Sequence, residues 1–391
     1  MERTLDECFF QIRNGANIKQ GEIDGGYPIT RIETTANDRF NRDRMGYAGI
    51  TDVSKYESYI LEDGDLLMSH INSAQYLGRT VLFDKKEDEI VIHGMNLLCL
   101  KANRDVINPA YARYAFYGRS FRSQIANITK KSVNQASFAV KDLKKIKLDI
   151  PPLHKQEAVV NVMSKIQSII ELRQLELNQL DELIKARFVE LFGDAINNDK
   201  GWKTDTVSNL CQRIYGGGTP LKSHPEYYED GDIPWVSSKD MKTDVLNDSQ
   251  IKINQLGVDN STAKIVPVNS VVMVIRSGIL KHTLPIAINK VPITVNQDLK
   301  VFVPGERILA RFLATQFKMH EKDILTSVRA VTADNIEFNL IKQRKLIVPP
   351  IELQQEYVTF LEQVDKSKVA VQQALDEAQL LFDSLMQEYF G

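Results

Sequence analysis

The chain repeats one segment of its own sequence, and this repeat constrains the fold more than any other feature. Residues 144–193 and 342–391 align without a gap at a constant offset of 198 residues. KLDIPPL from Lys147 matches KLIVPPI from Lys345, and each copy ends in Phe-Gly. Each copy predicts a strand, a stop at two prolines and then a long helix ended by glycine, because proline interrupts strands and glycine favours helix ends.

The stretches before the two copies also correspond, more loosely. Three pairs of segments match at offsets between about 202 and 206, as expected if loops differ in length: LDECFFQI from Leu5 with VSNLCQRI from Val207, YPIT from Tyr27 with IPWV from Ile233, and GDLLM from Gly64 with NSVVM from Asn269. The chain is therefore predicted to contain two half-copies, each a globular domain followed by a helical region. The predicted boundaries are 1–148, 149–194, 195–346 and 347–391.

Both helical regions carry apolar residues at alternating spacings of three and four, which is the signature of a coiled coil. The residues predicted to pair the helices are Met163, Ile170, Leu177, Ile184, Leu191, Leu361, Leu375 and Phe382. Each helix of about 35–40 residues would extend about 50–60 Å. An antiparallel pair covers both stripes, with charged interruptions at Arg173, Arg187 and Lys368 helping to fix the register. The alternative is that each helix packs on its own domain.

Composition indicates a folded protein and excludes several classes. The chain of 391 residues has 43% hydrophobic residues and a formal net charge of −2. It has no apolar run long enough to cross a bilayer and no signal-peptide pattern at its start, so we expect a cytoplasmic protein without a membrane partner. Cys8, Cys99 and Cys211 are expected to be buried thiols, and no metal-ligand spacing occurs. Residues 106–141 and 260–297 contain no Asp or Glu, and such basic stretches are typical either of a nucleic-acid surface or of a solvated basic face.

The globular domains are predicted to be mixed α+β. Their predicted strands are Asp65–Ser69, Thr80–Phe83, Leu97–Leu100, Ser270–Ile275 and Leu299–Val303. Tyr111–Ile125 and Glu306–His320 are predicted to be short amphipathic helices. In the first of them aromatic and basic residues alternate, a pattern that suits nucleic-acid binding, but Tyr114 and Phe121 are expected to lie in the core.

Three loop regions contain residue types that bind DNA. Residues 31–44 hold four arginines and two asparagines, and arginine can bind guanine while asparagine can bind adenine. Residues 130–135 (KKSVNQ) and 329–335 (RAVTADN) put basic and amide side chains before the strand that leads to Pro-Pro. Gly216–Gly218 with Thr219 would let backbone N–H groups approach a phosphate, or would form a plain tight turn.

Nearly all of the chain resembles one family, the specificity subunits of type I restriction–modification enzymes. Asp149–Asp194 is similar to the central conserved region of that family, and Val348–Gly391 is similar to the distal one. YGGGTP from Tyr215, followed by GDIPWV from Gly231, resembles the opening of many of its target recognition domains. GYPITRIET from Gly26 resembles the opening of another common domain type. The chain departs from the pattern by opening directly into its first recognition domain and by ending its second helix at Gly391.

The resemblance implies an α+β protein with two target recognition domains separated by two long antiparallel coiled-coil helices, in a pseudo-twofold internal repeat. Each domain would bind one half of a split DNA site, and the helices would set the unread gap and dock two modification (methyltransferase) subunits. Two restriction (translocase–nuclease) subunits would join them. The chain itself would hold no catalytic residue, metal or cofactor. S-adenosylmethionine, ATP and Mg²⁺ would bind the partner subunits, which methylate adenine.

Position in loops and in acid-free stretches then selects the residues expected to face double-stranded DNA. In the first half they are Arg31, Arg39, Arg42, Arg44, Lys130, Lys131, Asn134 and Gln135. In the second half they are Gly217, Thr219, Lys239, Arg276, Lys281, His282, Arg329 and Asn335.

Three other functions are open from the residues alone. A nuclease or methyltransferase could use short triplets such as Asp84-Lys85-Lys86 or Asp298-Leu299-Lys300, but these triplets are common by chance and no cofactor loop accompanies them. An assembly scaffold would use the helices without binding a specific sequence. A specificity subunit of a different split-site system would have the same architecture and another partner.

Overall fold

A computed structural model describes residues 1–22, 26–132, 135–326, 329–330 and 334–391, with only the backbone of residues 329, 330 and 334. The chain forms two compact units by packing. Unit 1 comprises Met1–Leu175 and Gln372–Gly391, and unit 2 comprises Glu176–Val371. The predicted regions 149–194 and 347–391 group the chain by secondary structure, whereas each unit contains one globular domain and a segment of both long helices. None of the helices in the described ranges is long and apolar enough to span a bilayer.

Unit 1 is built on a four-stranded antiparallel sheet, which in spatial order contains Phe9–Asn14, Leu97–Ala102, Leu66–Ser69 and Thr80–Leu82. The smaller sheets pair Glu2–Thr4 with Lys147–Asp149 and Tyr27–Ile29 with Gly46–Ala48. In a third one Ala136–Ser137 lies between Ile71–Asn72 and Lys130–Lys131. Its short α-helices are Leu5–Cys8, Pro109–Ala115, Arg119–Ile128 and Val140–Leu143. The core lies between the main sheet and these helices, where Tyr114 and Phe121 are buried as predicted.

Unit 2 repeats this plan around a five-stranded sheet, which in spatial order contains Cys211–Gly216, Leu299–Pro304, Val271–Val274, Ile286–Asn289 and Val245–Leu246. The smaller sheets pair Thr204–Thr206 with Lys345–Ile347, Ile233–Val236 with Lys252–Ile253 and Thr294–Val295, and Arg329–Ala330 with Asp334–Asn335. Its short α-helices are Val207–Leu210, Gln255–Asp259, Ala310–Met319, Glu321–Thr326 and Phe338–Gln343. All five predicted strands are present, with ends that differ by at most two residues.

The predicted helix Tyr111–Ile125 is two helices in the structure, and Gly118 lies at the break. Gly118 has an extended backbone (φ −65°, ψ 152°) and caps the start of the second helix. A Cβ at this position would lie 2.5 Å from the Cβ of Phe390, so only glycine allows the end of the second long helix to pack here. The single-helix prediction was wrong because the sequence of this stretch does not show the contact with Phe390.

Both long helices have the predicted length, since Leu153–Phe192 and Ile351–Phe390 each contain 40 residues. Each begins directly after Pro-Pro, as the repeat predicts. Each start is fixed by a fully buried glutamine four residues into the segment. The side chain of Gln156 accepts a hydrogen bond and donates two, joining the N–H of Asn108 and the carbonyls of Val106 and Pro151. The side chain of Gln354 makes the same set of bonds with the N–H of Leu309 and the carbonyls of Arg307 and Pro349.

The predicted pairing stripe packs inward within each unit. Met163 in unit 1 and Leu361 in unit 2 are buried, and the other six predicted pairing residues are half-buried. In unit 2 two ion pairs join the helices, Arg187 with Glu356 at 2.7 Å and Lys368 with Asp181 at 2.7 Å. Since residue 181 lies opposite 368 and residue 187 opposite 356, the two segments run antiparallel in this unit. Charged interruptions of the stripe therefore do bridge the helices there.

Candidate nucleic-acid interface

In unit 1 the predicted DNA contacts Lys130, Lys131 and Gln135 lie on or beside an exposed pair of antiparallel strands. Lys130–Lys131 pairs with Ala136–Ser137, which in turn pairs with Ile71–Asn72. Both lysines and Gln135 are exposed, and neither ammonium forms an ion pair with any described residue. Asn134 lies outside the described residues. The role of these lysines and Gln135 as DNA contacts stays a prediction.

The loop of residues 31–44 is held against the rest of unit 1 by Asp38. Asn37 and Asp38 both have left-handed backbones (φ 59° and 56°), which these two residue types tolerate better than most. The hydroxyl of Tyr117 donates a hydrogen bond to Asp38 at 2.8 Å. Arg79 forms an ion pair with the same carboxylate at 3.5 Å. Asp38 therefore anchors the middle of the loop. The arginine side chains extend from a backbone that is held in place.

The four arginines of this loop differ in what holds them. Arg42 is half-buried and forms an ion pair with Glu89 at 2.6 Å and a longer one with Asp84 at 3.4 Å. The hydrogen bond from Arg42 holds the pKa of Glu89 below its usual value. This geometry favours a structural role for Arg42, since a DNA contact would require breaking a charge-assisted pair. Its role as a DNA contact stays a prediction.

The other three arginines are exposed. Arg39 forms an ion pair with Glu171 of the first long helix at 2.9 Å. Arg31 donates a hydrogen bond to the side chain of Gln20. Arg44 forms no ion pair with any residue in the described ranges. Of the four, Arg44 has the guanidinium that a nucleic acid could reach with the least rearrangement.

In unit 2 the corresponding hairpin packs against the loop that carries Arg276. Arg329–Ala330 pairs with Asp334–Asn335, and Asn335 forms a backbone bridge with Arg276. The exposed guanidinium of Arg276 lies 3.6 Å from the carboxylate of Asp298. Lys281 and His282 are exposed just beyond, at the end of a short 3-10 turn, Gly278–Lys281. The side chain of Arg329 is outside the described part of the structure.

The two units place loop and hairpin in the same relation. In unit 1 the N–H of Phe138 donates to the carbonyl of His70 at 3.3 Å, and in unit 2 the N–H of Ile336 donates to the carbonyl of Ile275 at 2.9 Å. Each bond joins the end of a central strand to the residue that follows the hairpin. The structure thus brings residues predicted separately, Arg276 and Asn335, onto one surface of unit 2.

The glycine turn of unit 2 has a packing function. A Cβ on Gly217 would lie 1.9 Å from the carbonyl oxygen of Val295, so the backbone can approach this strand only at glycine. The N–H of Gly218 donates to that carbonyl at 3.0 Å. Thr219 donates to the side chain of Gln297. The tight-turn alternative therefore explains the glycines, and phosphate binding by Gly217 and Thr219 stays a prediction.

Lys239 is exposed beside a turn that Asp240 stabilises. The Asp240 carboxylate accepts hydrogen bonds from the backbone and hydroxyl of Ser237, both at 2.8 Å. The lysine side chain is free to extend from this rigid turn, since it has no described ion pair. The role of Lys239 as a DNA contact stays a prediction.

Sequence reasoning missed two groups of basic and aromatic side chains. In unit 1 Arg79 lies over the exposed ring of Tyr76, 4.6 Å from its centroid, in a loop that carries no run of charge. In unit 2 Lys300 and Lys342 lie 4.9 and 4.8 Å from the ring centroid of Phe338. Lys300 lies inside a correctly predicted strand, and its position in this apolar run gives no sign of a binding residue. Aligning the two halves would have identified it, because unit 1 has Leu98 at the same place in the sheet.

The described His, Cys, Asp and Glu side chains also show whether a metal centre is present. No cluster of three or more His, Cys, Asp or Glu side chains in the described ranges has a geometry that could hold a metal ion. All three cysteines are free and buried, as predicted. Burial raises the pKa of Cys8 to about 11 and that of Cys211 to about 12, so both stay protonated and unreactive near neutral pH.

Comparison with known families shows one match that extends over most of the chain. The model of the type I restriction modification DNA specificity domain matches residues 1–182 and, a second time, residues 199–378. The double match coincides with the internal repeat.

Two curated relatives have the same type of name. A putative type I restriction enzyme MjaX specificity subunit of Methanocaldococcus jannaschii is 29% identical over 251 residues, covering 61% of this chain and 58% of the relative. The EcoR124I/EcoR124II specificity subunit of Escherichia coli is 32% identical over 216 residues, covering 54% of this chain and 52% of the relative. The chain thus spans between half and three-fifths of the length of these relatives.

Two solved structures share the fold. The S subunit of a type I restriction-modification system from M. genitalium aligns with a TM-score of 0.63 at 15% identity, covering 100% of this chain and 96% of that one. A chain from a study of complex assembly and conformational transition of the type I R-M system aligns with a TM-score of 0.56 at 15% identity, covering 100% and 97%. At this identity the similarity concerns the fold alone.

Proposed function

Since the chain belongs to the family defined by the type I restriction modification DNA specificity domain, we propose that it is the DNA-specificity subunit of a type I restriction–modification enzyme. It binds a bipartite, asymmetric site in double-stranded DNA, and each globular domain binds one half. It contributes no catalytic group of its own. It acts in the cytoplasm, where such a DNA target lies.

The observation that carries this proposal is the duplicated surface. Both units place a hairpin beside the loop that follows a central strand, and both present basic or amide side chains there. Lys130 and Lys131 do so in unit 1, and Arg276 and Asn335 do so in unit 2. Lysine and arginine neutralise phosphates and position a protein on DNA, while amide and guanidinium groups distinguish bases. Two related surfaces on one chain suit a site with two different halves.

The partners follow from the same family. Two modification subunits would bind S-adenosylmethionine and methylate adenine, and two restriction subunits would use ATP and Mg²⁺. The long helices offer apolar contacts for docking, since Leu172 is 63% exposed and Leu380 is 70% exposed. Large exposed apolar side chains on a helix are typical of protein interfaces. The names of the two relatives, each a specificity subunit of a type I restriction enzyme, support partner subunits in general but not their number.

A binding experiment tests the function directly. The chain, copurified with its modification subunits, is mixed with fragmented genomic DNA from a strain that lacks the system, and the bound fragments are sequenced. We expect enrichment of fragments that share one motif with two short halves and a fixed gap. Enrichment without a shared motif would indicate a scaffold that binds no specific sequence.

A second assay addresses the enzyme alternative. The isolated chain is incubated with plasmid DNA and Mg²⁺, and the products are separated by electrophoresis. We expect intact plasmid, because the proposal gives the chain no nuclease site. Cleavage that survives in the purest fractions would contradict the proposal.

A further inference from the structure

The two halves of the chain differ at one place where their folds are otherwise equivalent. In unit 1 the strand Phe9–Asn14 pairs with Leu97–Ala102, and Asn14 lies opposite Leu98. In unit 2 the strand Cys211–Gly216 pairs with Leu299–Pro304, and Gly216 lies opposite Lys300. Both pairs have a register shift at the corresponding point, so the alignment of the two positions is unambiguous.

At this position unit 2 has a cationic side chain where unit 1 has a core residue. Leu98 is fully buried in the core of unit 1. Lys300 occupies the same sheet position in unit 2 and is half-buried. Placing an ammonium where an apolar side chain packs costs desolvation energy, and a charge kept in such a place usually has a partner. Neither a hydrogen bond nor an ion pair joins Lys300 to any described residue.

The opposite strand makes room for this ammonium. A Cβ on Gly216 would lie 2.5 Å from the Nζ of Lys300, so any other residue there would displace the amine. Unit 2 therefore has Gly216 where unit 1 has Asn14, opposite the position where unit 2 has Lys300 and unit 1 has Leu98.

Two more cations lie beside Lys300. Its Nζ and that of Lys342 are 4.9 and 4.8 Å from the centroid of the Phe338 ring. Arg276 is close enough to act on Lys300 electrostatically, and burial together with these two cations lowers the pKa of Lys300. Among the described residues, one carboxylate contacts these three cations: Asp298, which forms an ion pair with Arg276. The cluster thus has more positive than negative charge.

We propose that Lys300, Lys342 and Arg276 form a binding site for a phosphate group of the DNA backbone, which unit 1 lacks because Leu98 stands at the place of Lys300. The geometry supports a phosphate because the two amines lie together over the Phe338 ring and neither contacts a carboxylate of a described residue. Arg276 also bridges to Asn335, so the site continues the surface of predicted DNA contacts. A phosphate bound there would fix the position of this domain on its half-site without distinguishing bases.

The inference rests on the proposed function, and the test separates the two. The variants are Lys300→Leu, which installs the residue of unit 1, and Lys342→Met. Lys203→Leu is the matched control, since Lys203 is an exposed lysine of the same unit before the strand Thr204–Thr206. Each is purified with the modification subunits, its thermal unfolding is compared with the wild type, and its affinity is measured against salt on the enriched motif and on random duplexes.

We expect Lys300→Leu and Lys342→Met each to weaken binding to both duplexes roughly tenfold, the size of one lost hydrogen bond to a charged group. The slope of log affinity against log salt should fall by about one unit per lost phosphate contact. The recognised DNA motif should be the same in both variants as in the wild type. The control Lys203→Leu should keep the wild-type affinity and salt slope. Affinity and salt slope equal to the wild type would overturn the proposal, and so would relaxed preference at one base pair, which would make Lys300 a base contact. If the wild-type complex enriched no shared DNA motif, that result would instead refute the proposed function.

Discussion

At the residue scale, the structure separates basic side chains that are already paired from those that are available. Arg42 and Lys130 look alike in the sequence, since both lie in polar loops. Arg42 is fixed by Glu89, which is 47 residues further along, whereas Lys130 extends from a hairpin without a carboxylate. Loop position and charge predicted the candidates. They could not predict the pairing, because an ion pair between distant residues depends on tertiary structure.

A buried histidine gives unit 1 a defined response to acid. His93 is 1% exposed and its Nε2 lies 2.9 Å from the carbonyl oxygen of Leu97. Burial lowers its pKa to about 4, so the folded state holds the neutral ring. Because the pKa is depressed relative to the unfolded chain, the stabilisation is complete above pH 6.5 and is lost as the pH falls towards 4.

We expect His93 to account for about 1.6 kcal/mol of the stability lost between pH 6.5 and 5, because the slope approaches 1.36 kcal/mol for each pH unit only below the unfolded pKa. Hydrogen exchange in the strand Leu97–Ala102, corrected for the intrinsic rate, measures it at both pH values. His93→Gln should remove this share of the pH dependence. His154→Gln is the control, since His154 is exposed on the first long helix. An unchanged pH dependence in His93→Gln would show that the ring is not the responsible group.

At the scale of elements, the repeat predicted the main features correctly. The Pro-Pro pairs predicted the starts of both long helices, and the heptad stripe predicted which of their faces is covered. The exact course of shorter elements depended on contacts that are distant in sequence, as the break at Gly118 against Phe390 shows. Lys300 was missed for a related reason, since its strand was predicted correctly but the half-burial of its side chain is visible only in the folded sheet.

The glutamine at each helix start provides a test at this scale. Gln354→Ala leaves the N–H of Leu309 and two backbone carbonyls without their partner in a buried place. We expect a loss of about 2–4 kcal/mol in the unfolding free energy of unit 2, since each buried unpaired group costs about 1–3 kcal/mol. Urea unfolding followed by tryptophan fluorescence measures it, because Trp202 and Trp235 both lie in this unit.

The neighbouring Gln355 gives a matched control. Its side chain is exposed on the same helix, and Gln355→Ala should change the unfolding free energy by less than about 0.5 kcal/mol. Equal losses in the two variants would mean that the substitution acts through helix propensity and not through the buried hydrogen bonds.

At the scale of the whole molecule, the internal duplication is the property on which function depends. Each half carries one of the surfaces that we propose to bind DNA and one long helix, and both helices contribute segments to both units. We propose that the number of residues in these helices sets the gap between the two half-sites. Sequence alone predicted this organisation, because the repeat at an offset of 198 residues and the heptad stripe are both properties of the chain.

Helix length can be changed directly. An insertion of four residues after Leu175 adds about 6 Å and about 40° of net rotation to a helix. We expect the gap in the recognised motif to lengthen, or binding to be abolished, while the same insertion after the exposed Asn247 leaves the gap as it was. Sequencing of bound fragments measures the gap. An unchanged motif and gap after the helix insertion would mean that the helices do not set the spacing.

The most direct test of the account is an exchange of one recognition domain. Residues 1–148 are replaced by the corresponding domain of a relative with a different site, and the methylated adenines of a host carrying the chimera and its modification subunits are mapped. We predict that one half of the methylated motif changes to that of the relative, while the other half and the gap persist. A motif in which both halves change, or in which neither does, would contradict the claim that each domain binds its own half of the site.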